Sequence, residues 1–173
     1  LGDVYKRQIL SYREAFLRHL SIDPFSLTTA QLENFAYQKI DCDFTDQDRD
    51  IWLDLLMSHC IEPNLGHEAP CFLIDYPASQ AALAKITNDE QGNLVAKRFE
   101  LYIEGIELAN GYEELTDHDQ HVDRFEQDNQ RRCELGLQTQ AVDQHFLKAL
   151  KTGLPECAGV ALGVDRLLLL AVS

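Results

Sequence analysis

The sequence predicts an α+β fold in which an antiparallel sheet is flanked by helices. Three segments with the apolar spacing of amphipathic helices come first, within residues 11–61. Segments with strand-like alternation begin at residue 71, and further helical segments separate the later strands. This order, helices first and then strands with helices between them, favours an antiparallel sheet.

The first three helices are predicted at residues 11–20, 28–40 and 45–61. Ser11 and Thr45 stand where an N-cap is expected, because each precedes a segment with helical apolar spacing. The acidic segment 46–50 is interpreted as the first turn of the third helix and not as a calcium-binding loop, because Ile51 occupies the position at which such a loop requires glycine.

The later elements alternate between strands and helices. They are a loop at 62–70, a buried strand at 71–77, a loop with a possible short helix at 78–86, a solvent turn at 87–93, two strands within 97–109, helices at 116–136 and 141–153, and a strand from 157 that becomes a helix at 164. We interpret His118 and His121 as exposed side chains and not as metal ligands, because no third ligand stands near them.

Composition and charge narrow the class of protein. The 173 residues are enough for one domain with a core, and their composition is ordinary for a globular protein. The formal net charge of −14 repels nucleic acid and suits a basic protein or an amine substrate as partner. No apolar run is long enough to span a membrane. Five cysteines without a CxxC pair predict free thiols in a reducing cytoplasm.

Both ends of the sequence indicate part of a larger domain. The chain begins at Leu1 without an initiator methionine, and residues 1–8 have so little pattern that we interpret them as a non-native or disordered leader. The chain stops within the apolar run LLLLAVS. Residues 9–173 are therefore expected to be a partial domain, with a helical part at 11–61 and a sheet part at 71–173.

The stretch FELYIEGIELANGYEEL, residues 99–115, carries glutamates at equal intervals. Its alternation predicts two strands joined by a two-residue turn at 104–105. The predicted pairs are Ile103 with Ile106, Tyr102 with Glu107, and Leu101 with Leu108. The predicted core face carries Phe99, Leu101, Ile103, Ile106 and Leu108. The other face carries Glu100, Tyr102, Glu107 and Ala109.

Glu100 and Glu107 are predicted to be diagonal neighbours, with Cα atoms roughly 7–8 Å apart. Two carboxylates at this spacing repel each other, and one divalent cation would remove the repulsion. Residues 110–111, Asn-Gly, are a second turn or bulge signal. On an unbroken strand Glu114 would face away from Glu107, so it joins this candidate site only if the chain bends there.

The segment GVALGVDRLLLL, residues 159–170, combines a strand of small residues with an arginine. Gly159, Ala161 and Gly163 would leave one strand face nearly bare, so that a flat ligand can lie against the backbone. Arg166 follows at the start of a helix, where its guanidinium can stack on an aromatic base or pair with a phosphate. Small residues in a strand more often reflect tight packing alone.

Together these segments resemble the C-terminal catalytic half of class II lysyl-tRNA synthetases. The resemblance lies in RFELYIEGIELANGYEEL, in the helix that begins TDHDQ and contains RFEQDNQRR, and in GVALGVDRL, which is similar to motif 3 of that class. The resemblance is nearer to the paralogues that attach (R)-β-lysine to elongation factor P, as shown by the segments DYPASQAALAKI, AVDQHFLKAL and GLPECAGVALGVDRLL. The resemblance runs from about Leu10 to the end of the chain and is strongest over residues 97–170.

The resemblance implies a partial class II catalytic core, an ATP-dependent ligase that uses Mg²⁺ and activates β-lysine or lysine as an adenylate. The acceptor implied is a lysine side chain of elongation factor P. Arg166 is implied to be the catalytic residue, and the longer protein is expected to be a cytoplasmic homodimer. The resemblance implies that Glu100 and Glu107 bind Mg²⁺. ATP is implied to bind at Glu107, Leu108, Gly163 and Arg166. The amino-acid substrate is implied to bind at Asn110, Glu114 and Ala161.

The sequence departs from this family pattern at two points. Motifs 1 and 2 are absent, so this segment alone is not expected to catalyse. Ala161 stands where lysyl-tRNA synthetases have glycine, which favours the β-lysine ligases. A fragment of a tRNA-charging lysyl-tRNA synthetase stays an alternative, although the net negative charge disfavours it. A non-catalytic synthetase paralogue is the other alternative, although the intact glutamates and arginine disfavour it.

Overall fold

Six strands form one mixed sheet in the computed structural model, which describes residues 6–172. They are β1 Gln8–Ser11, β2 Cys71–Pro77, β3 Ile86–Asn88, β4 Leu94–Ile103, β5 Ile106–Glu113 and β6 Ala158–Leu162. The order is β1-β2-β4-β5-β6, with β3 also paired to β4. Every pair is antiparallel except β1 with β2, which is parallel. The predicted α+β fold is confirmed, while β1 and β3 are strands that the sequence did not predict.

Six α-helices accompany the sheet within the described residues. They are α1 Tyr12–Leu20, α2 Thr29–Lys39, α3 Arg49–Leu56, α4 His118–Glu134, α5 Gln144–Lys151 and α6 Val164–Val172. Ser11 caps α1 as predicted and forms a capping box with Glu14. Helix α3 begins later than predicted, because Asp48 and not Thr45 caps it by accepting a hydrogen bond from the Asp50 N–H at 3.0 Å.

Helices α1, α2 and α3 cover one face of the sheet, and the main apolar core lies between them and β2 and β4. The largest fully buried side chains include Trp52, Tyr12, Tyr102, Phe16, Leu32, Leu53, Leu56, Ile61 and Leu73. Burial of one large apolar side chain contributes roughly 1.5–3 kcal/mol. This packing holds α3 against the face of the sheet on which the candidate site lies.

The predicted core face of the β4–β5 hairpin is wrong. Tyr102, predicted on the opposite face, is only 1% exposed and belongs to the core, whereas Phe99 and Leu101 are half-buried. The helices can cover a face that carries Glu100 because the Tyr102 hydroxyl donates a hydrogen bond to its carboxylate at 2.5 Å. Polar groups that satisfy each other in this way can be buried without a large penalty.

Helices α4 and α5 form a separate pair beside the sheet. Arg124 of α4 donates to two carbonyl oxygens, those of Ala82 and Ala84, at 2.7 Å each. The prediction of an exposed His121 is wrong, because its side chain is 2% exposed and its ring lies 5.4 Å from that of Phe146 in α5. The packing of α5 against α4 buries it.

Three predictions concern the chain as a whole. Residues 1–5 of the predicted leader lie outside the described residues, whereas Gln8 already belongs to β1 and donates its N–H to the Pro70 carbonyl at 2.9 Å. The five cysteines are free thiols, as predicted. Over residues 6–172, none of the helices combines the length and the apolar character needed to cross a membrane.

Candidate active site

A β-bulge in the β4–β5 hairpin decides which side chains share a face. The predicted register holds for the two pairs next to the turn. Beyond them Leu101 pairs with Ala109 and not, as an unbroken ladder predicted, with Leu108. Leu108 is the extra residue, and its insertion reverses the facing of the later β5 residues. The irregularity predicted at 110–111 therefore lies two residues earlier, and 110–111 are continuous strand.

The bulge brings the residues that follow it onto the face that carries Glu107. Asn110 pairs with Glu100, and their side chains are hydrogen-bonded at 3.0 Å. Tyr112 packs against the core beneath the helices. Glu114 continues the same alternation, so it lies on the face that carries Glu107, although the irregularity that turns it there is at Leu108 and not at 110–111.

Glu100 is an enclosed carboxylate, 7% exposed, with three hydrogen-bond donors around it. Its Oε1 accepts from Arg98 Nη2 at 2.5 Å and from Asn110 Nδ2 at 3.0 Å. Its Oε2 accepts from the Tyr102 hydroxyl at 2.5 Å. Asn110 Oδ1 in turn accepts from Arg98 Nε at 3.3 Å. Both ends of the amide that was predicted to contact the substrate are thus engaged with neighbouring side chains.

Glu107 and Arg166 are in direct contact across the sheet edge. Arg166 Nη1 donates to the Glu107 carboxylate at 3.1 Å and to its carbonyl oxygen at 2.6 Å. The Gly163 N–H donates to the Leu108 carbonyl at 2.8 Å. The four residues predicted for the nucleotide therefore meet where β5, β6 and α6 join. The Arg166 side chain is 54% exposed, so a ligand can reach it.

Glu114 lies over β6. A methyl group at Gly159 would overlap Glu114 Oε1, so the carboxylate rests directly above the glycine backbone. Ala161 pairs with Asn110, and directly opposed residues share a face. The small residues of β6 therefore leave open the face on which the Glu114 carboxylate and the Asn110 amide lie.

Three residues that the sequence analysis did not assign to the site lie beside Glu100. Arg98 and Tyr102 flank it at two-residue intervals on β4, and this alternation is the sequence signal that identifies them. Glu62 begins the 3₁₀ turn Glu62–Asn64, which follows a π-helical segment, Met57–Ile61, at the end of α3. Burial raises the pKa of Glu62, and the carboxylates of Glu100 and Glu107 add to the rise. No sequence signal indicates Glu62, because its position depends on how α3 packs.

A cavity of about 510 Å³ lies between α3 and the sheet. The polar side chains in its wall are Tyr12, Asp54, Ser58, Glu62, Tyr76, Gln80, Arg98 and Glu100. Burial raises the pKa of Asp54, and the nearby Asp50 carboxylate raises it further. Carboxyl groups outnumber cationic side chains in this wall, so the cavity favours positive charge.

The number of carboxylates at the site determines which kind of metal ion the site can hold. Within residues 6–172 no three His, Cys, Asp or Glu side chains are grouped so that they hold a metal ion by themselves. Mg²⁺ usually binds one or two protein carboxylates and completes its shell with phosphate oxygens and waters. Glu100 and Glu107 on one face fit an Mg²⁺ ion of that kind.

Comparisons with known proteins match nearly the whole chain. The sequence profile of the family described as "tRNA synthetases class II (D, K and N)" matches residues 8–173. A protein of Pectobacterium atrosepticum named "Elongation factor P--(R)-beta-lysine ligase" is 50% identical over 173 residues, which cover 98% of this chain and 52% of the relative. A protein of the same name from Yersinia pestis is 49% identical over 174 residues, which cover 99% and 53%. The chain spans about half the length of these relatives.

Proposed function

Since this chain belongs to the class II tRNA synthetases of the D, K and N group, we propose that the gene product that carries it is an ATP-dependent ligase. The ligase activates (R)-β-lysine, or lysine, as an aminoacyl-adenylate and transfers it to a lysine side chain of elongation factor P. One observation carries the proposal: Glu107, Asn110 and Glu114 share a sheet face beside Arg166. The names of relatives at 50% and 49% identity support it.

ATP is assigned to the junction of β5, β6 and α6. Arg166 acts there as the catalytic residue that stacks its planar guanidinium on the adenine ring. Gly163 allows the nucleotide to approach the backbone closely, because it has no side chain. Glu107 and Leu108 lie beside the nucleotide. The contact between Arg166 and Glu107 keeps the guanidinium at the edge of this site.

Glu100 and Glu107 are assigned to Mg²⁺. Carboxylate oxygens are the ligands that this hard cation prefers. When bound, the ion neutralises phosphate charge. The two carboxylates otherwise lie near Glu62, whose pKa is raised by burial and by both of them. A cation at this place would reduce that repulsion, and this supports the assignment.

The substrate is assigned to the open face of β5 and β6. Glu114 receives the substrate ammonium, while Asn110 and Ala161 line the same pocket. The substrate carboxylate attacks the α-phosphorus of ATP, and pyrophosphate leaves. The acceptor amine then attacks the adenylate carbonyl, an amide forms, and AMP leaves. The protein contributes mainly by placing these groups for reaction.

A protein acceptor is favoured over tRNA. The net charge of −14 opposes contact with an RNA backbone. Ala161 adds a methyl group at the substrate face, where the lysyl-tRNA synthetases that the sequence resembles have glycine. We place the ligase in the cytoplasm as a homodimer. Charging of tRNA would favour a fragment of a lysyl-tRNA synthetase. Nucleotide binding without adenylate formation would favour a non-catalytic synthetase paralogue.

Mass spectrometry of elongation factor P tests the proposal. The factor is incubated with the gene product that carries this chain, ATP, Mg²⁺ and (R)-β-lysine. We expect a mass increase of one β-lysyl group on one lysine, and no increase without ATP. Charging of tRNA under the same conditions without modification of the factor would contradict the proposal.

A glutamate variant tests the metal assignment. We expect Glu107→Gln to lower β-lysine-dependent ATP–pyrophosphate exchange by about 100-fold or more, because the variant loses a charge that acts on the phosphates. Glu126→Gln, at an exposed position of α4, is the matched control and should exchange at the wild-type rate. An unchanged rate for Glu107→Gln would show that this residue is not the metal ligand.

A further inference from the structure

The side chains around Glu100 limit which of its oxygens can bind a cation. A carboxylate oxygen has two lone pairs that accept hydrogen bonds or bind metal. Oε1 already accepts from Arg98 at 2.5 Å and from Asn110 at 3.0 Å. Within residues 6–172, the one hydrogen bond of good geometry to Oε2 comes from Tyr102, at 2.5 Å. Oε2 is therefore the oxygen with an acceptor position left open.

Two of the three donors, Tyr102 and Arg98, are held in place by their own contacts. Tyr102 is 1% exposed, and its ring is part of the apolar core. The Arg98 guanidinium donates from Nη1 to the Gln80 carbonyl at 3.1 Å and lies 4.6 Å from the centre of the Tyr76 ring. Because these neighbours are fixed, the carboxylate of Glu100 cannot rotate without breaking at least one short hydrogen bond.

We propose that Tyr102 and Arg98 are positioning residues that hold Glu100 so that Oε2 alone binds the Mg²⁺ of the nucleotide. This inference rests on the proposed function, because it takes Glu100 as a ligand of that ion. Arg98 and Asn110 occupy Oε1, and Tyr102 fixes Oε2 from the side of the core. Second-layer partners of this kind orient the ligands of a metal and tune its affinity.

The network also gives Asn110 a second role. Its amide bridges Arg98 and Glu100, with Oδ1 accepting at 3.3 Å and Nδ2 donating at 3.0 Å. The Asn110 amide thereby joins β5, on which it lies, to Glu100 on β4.

Binding of Mn²⁺ in the presence of ATP tests this inference without relying on turnover. The gene product that carries this chain is dialysed to equilibrium against Mn²⁺ with saturating ATP, and the excess of Mn²⁺ on the protein side over a protein-free cell gives the amount of ion that the protein holds. We expect Tyr102→Phe to raise the Kd of the ion by about 10- to 100-fold, the usual effect of removing a second-layer partner. Phenylalanine keeps the buried ring, so the variant loses only the hydroxyl.

Tyr12→Phe is the matched control. Tyr12 is equally buried and lines the same cavity, but its hydroxyl has no hydrogen-bond partner among the described residues. The control should bind Mn²⁺ as the wild type does. Arg98→Lys keeps the charge but cannot reach both Glu100 and Asn110, and it should weaken Mn²⁺ in the same direction if Tyr102→Phe fails to fold.

The outcomes separate this inference from the proposed function. A wild-type protein that binds no Mn²⁺ in the presence of ATP would overturn both. A wild-type protein that binds the ion, together with Tyr102→Phe and Arg98→Lys variants that bind it equally well, would overturn the positioning role alone. Weakening by Tyr12→Phe to the same extent as by Tyr102→Phe would also overturn it, because the effect would then follow from any buried tyrosine hydroxyl.

Discussion

At the scale of single residues, Asp54 is a carboxyl group in an unfavourable place. It lies in the wall of the cavity beneath α3, and Gln80 Nε2 donates to its Oδ1 at 2.8 Å. Burial and the neighbouring Asp50 carboxylate raise its pKa. The folded state therefore binds the Asp54 proton more tightly than the unfolded state does, and ionised Asp54 destabilises the fold.

Replacement of Asp54 by asparagine is expected to stabilise the protein at neutral pH. The wild type is favoured while Asp54 is protonated and loses stability as the pH rises from the unfolded pKa to the raised folded pKa. We therefore expect Asp54→Asn to raise the Tm by about 1–4 °C at pH 7 and to have little effect below about pH 4. Asp128→Asn, at an exposed site on α4, is the control in thermal melts at both pH values.

Gly159 is the second residue whose effect can be isolated. A methyl group there would overlap Glu114 Oε1, which is the end of a movable side chain. We expect Gly159→Ala to fold normally but to displace the Glu114 carboxylate and to raise the KM for β-lysine by about 10-fold or more. The KM for ATP should stay constant. Ala158→Ser, on the neighbouring exposed residue, is the control, and an unchanged KM for β-lysine would exclude Glu114 as the ammonium-binding residue.

At the scale of elements, the hairpin that carries the site is supported at its turn by the loop after α3. The Glu104 N–H donates to the Gly66 carbonyl at 3.1 Å, and the Gly105 N–H donates to the Leu65 carbonyl at 2.8 Å. Gly66 has a φ of +78°, and a side chain there would collide with the Tyr102 carbonyl. The loop thus holds the turn of the hairpin, and Gly66 lies close to the backbone of Tyr102, the residue that donates to Glu100.

Paired glycine substitutions measure this support. We expect Gly66→Ala to lower the free energy of unfolding by about 2–3 kcal/mol or more, because it adds a collision with backbone to an unfavourable φ. Gly92 has a similar φ of +86° but no atom within 4 Å, so Gly92→Ala should cost only about 1 kcal/mol. Urea unfolding measures both. Equal losses would mean that the contact with Tyr102 contributes nothing.

At the scale of the whole molecule, charge is the dominant feature. The formal net charge is −14, from 29 acidic and 15 basic side chains. Repulsion among like charges destabilises a compact state, and salt screens it. We expect the Tm to rise by a few degrees as NaCl increases from about 0.01 M to about 0.3 M, over which the screening length falls several-fold. A Tm that falls with salt would show that ion pairs such as Arg13–Asp23 outweigh the repulsion.

The sequence by itself determined the elements with strong local patterns. The capping box at Ser11 begins α1, the alternation around residue 100 gives β4, and Val164 begins α6. It also placed the acidic residues in positions from which Glu100 and Glu107 share a face. These features depend on neighbours within a few residues, so they can be inferred from the order of the side chains.

Only the tertiary structure decided which face of the sheet is buried and where the hairpin bulges. The bulge at Leu108 turns Asn110 and Glu114 towards Glu107, and the packing of α3 brings Glu62 to the same place. Both depend on contacts between segments far apart in the chain. The local pattern of side chains is compatible with either face of the sheet being buried and with more than one position of the bulge. The free energy gained when the helices cover the sheet decides between them.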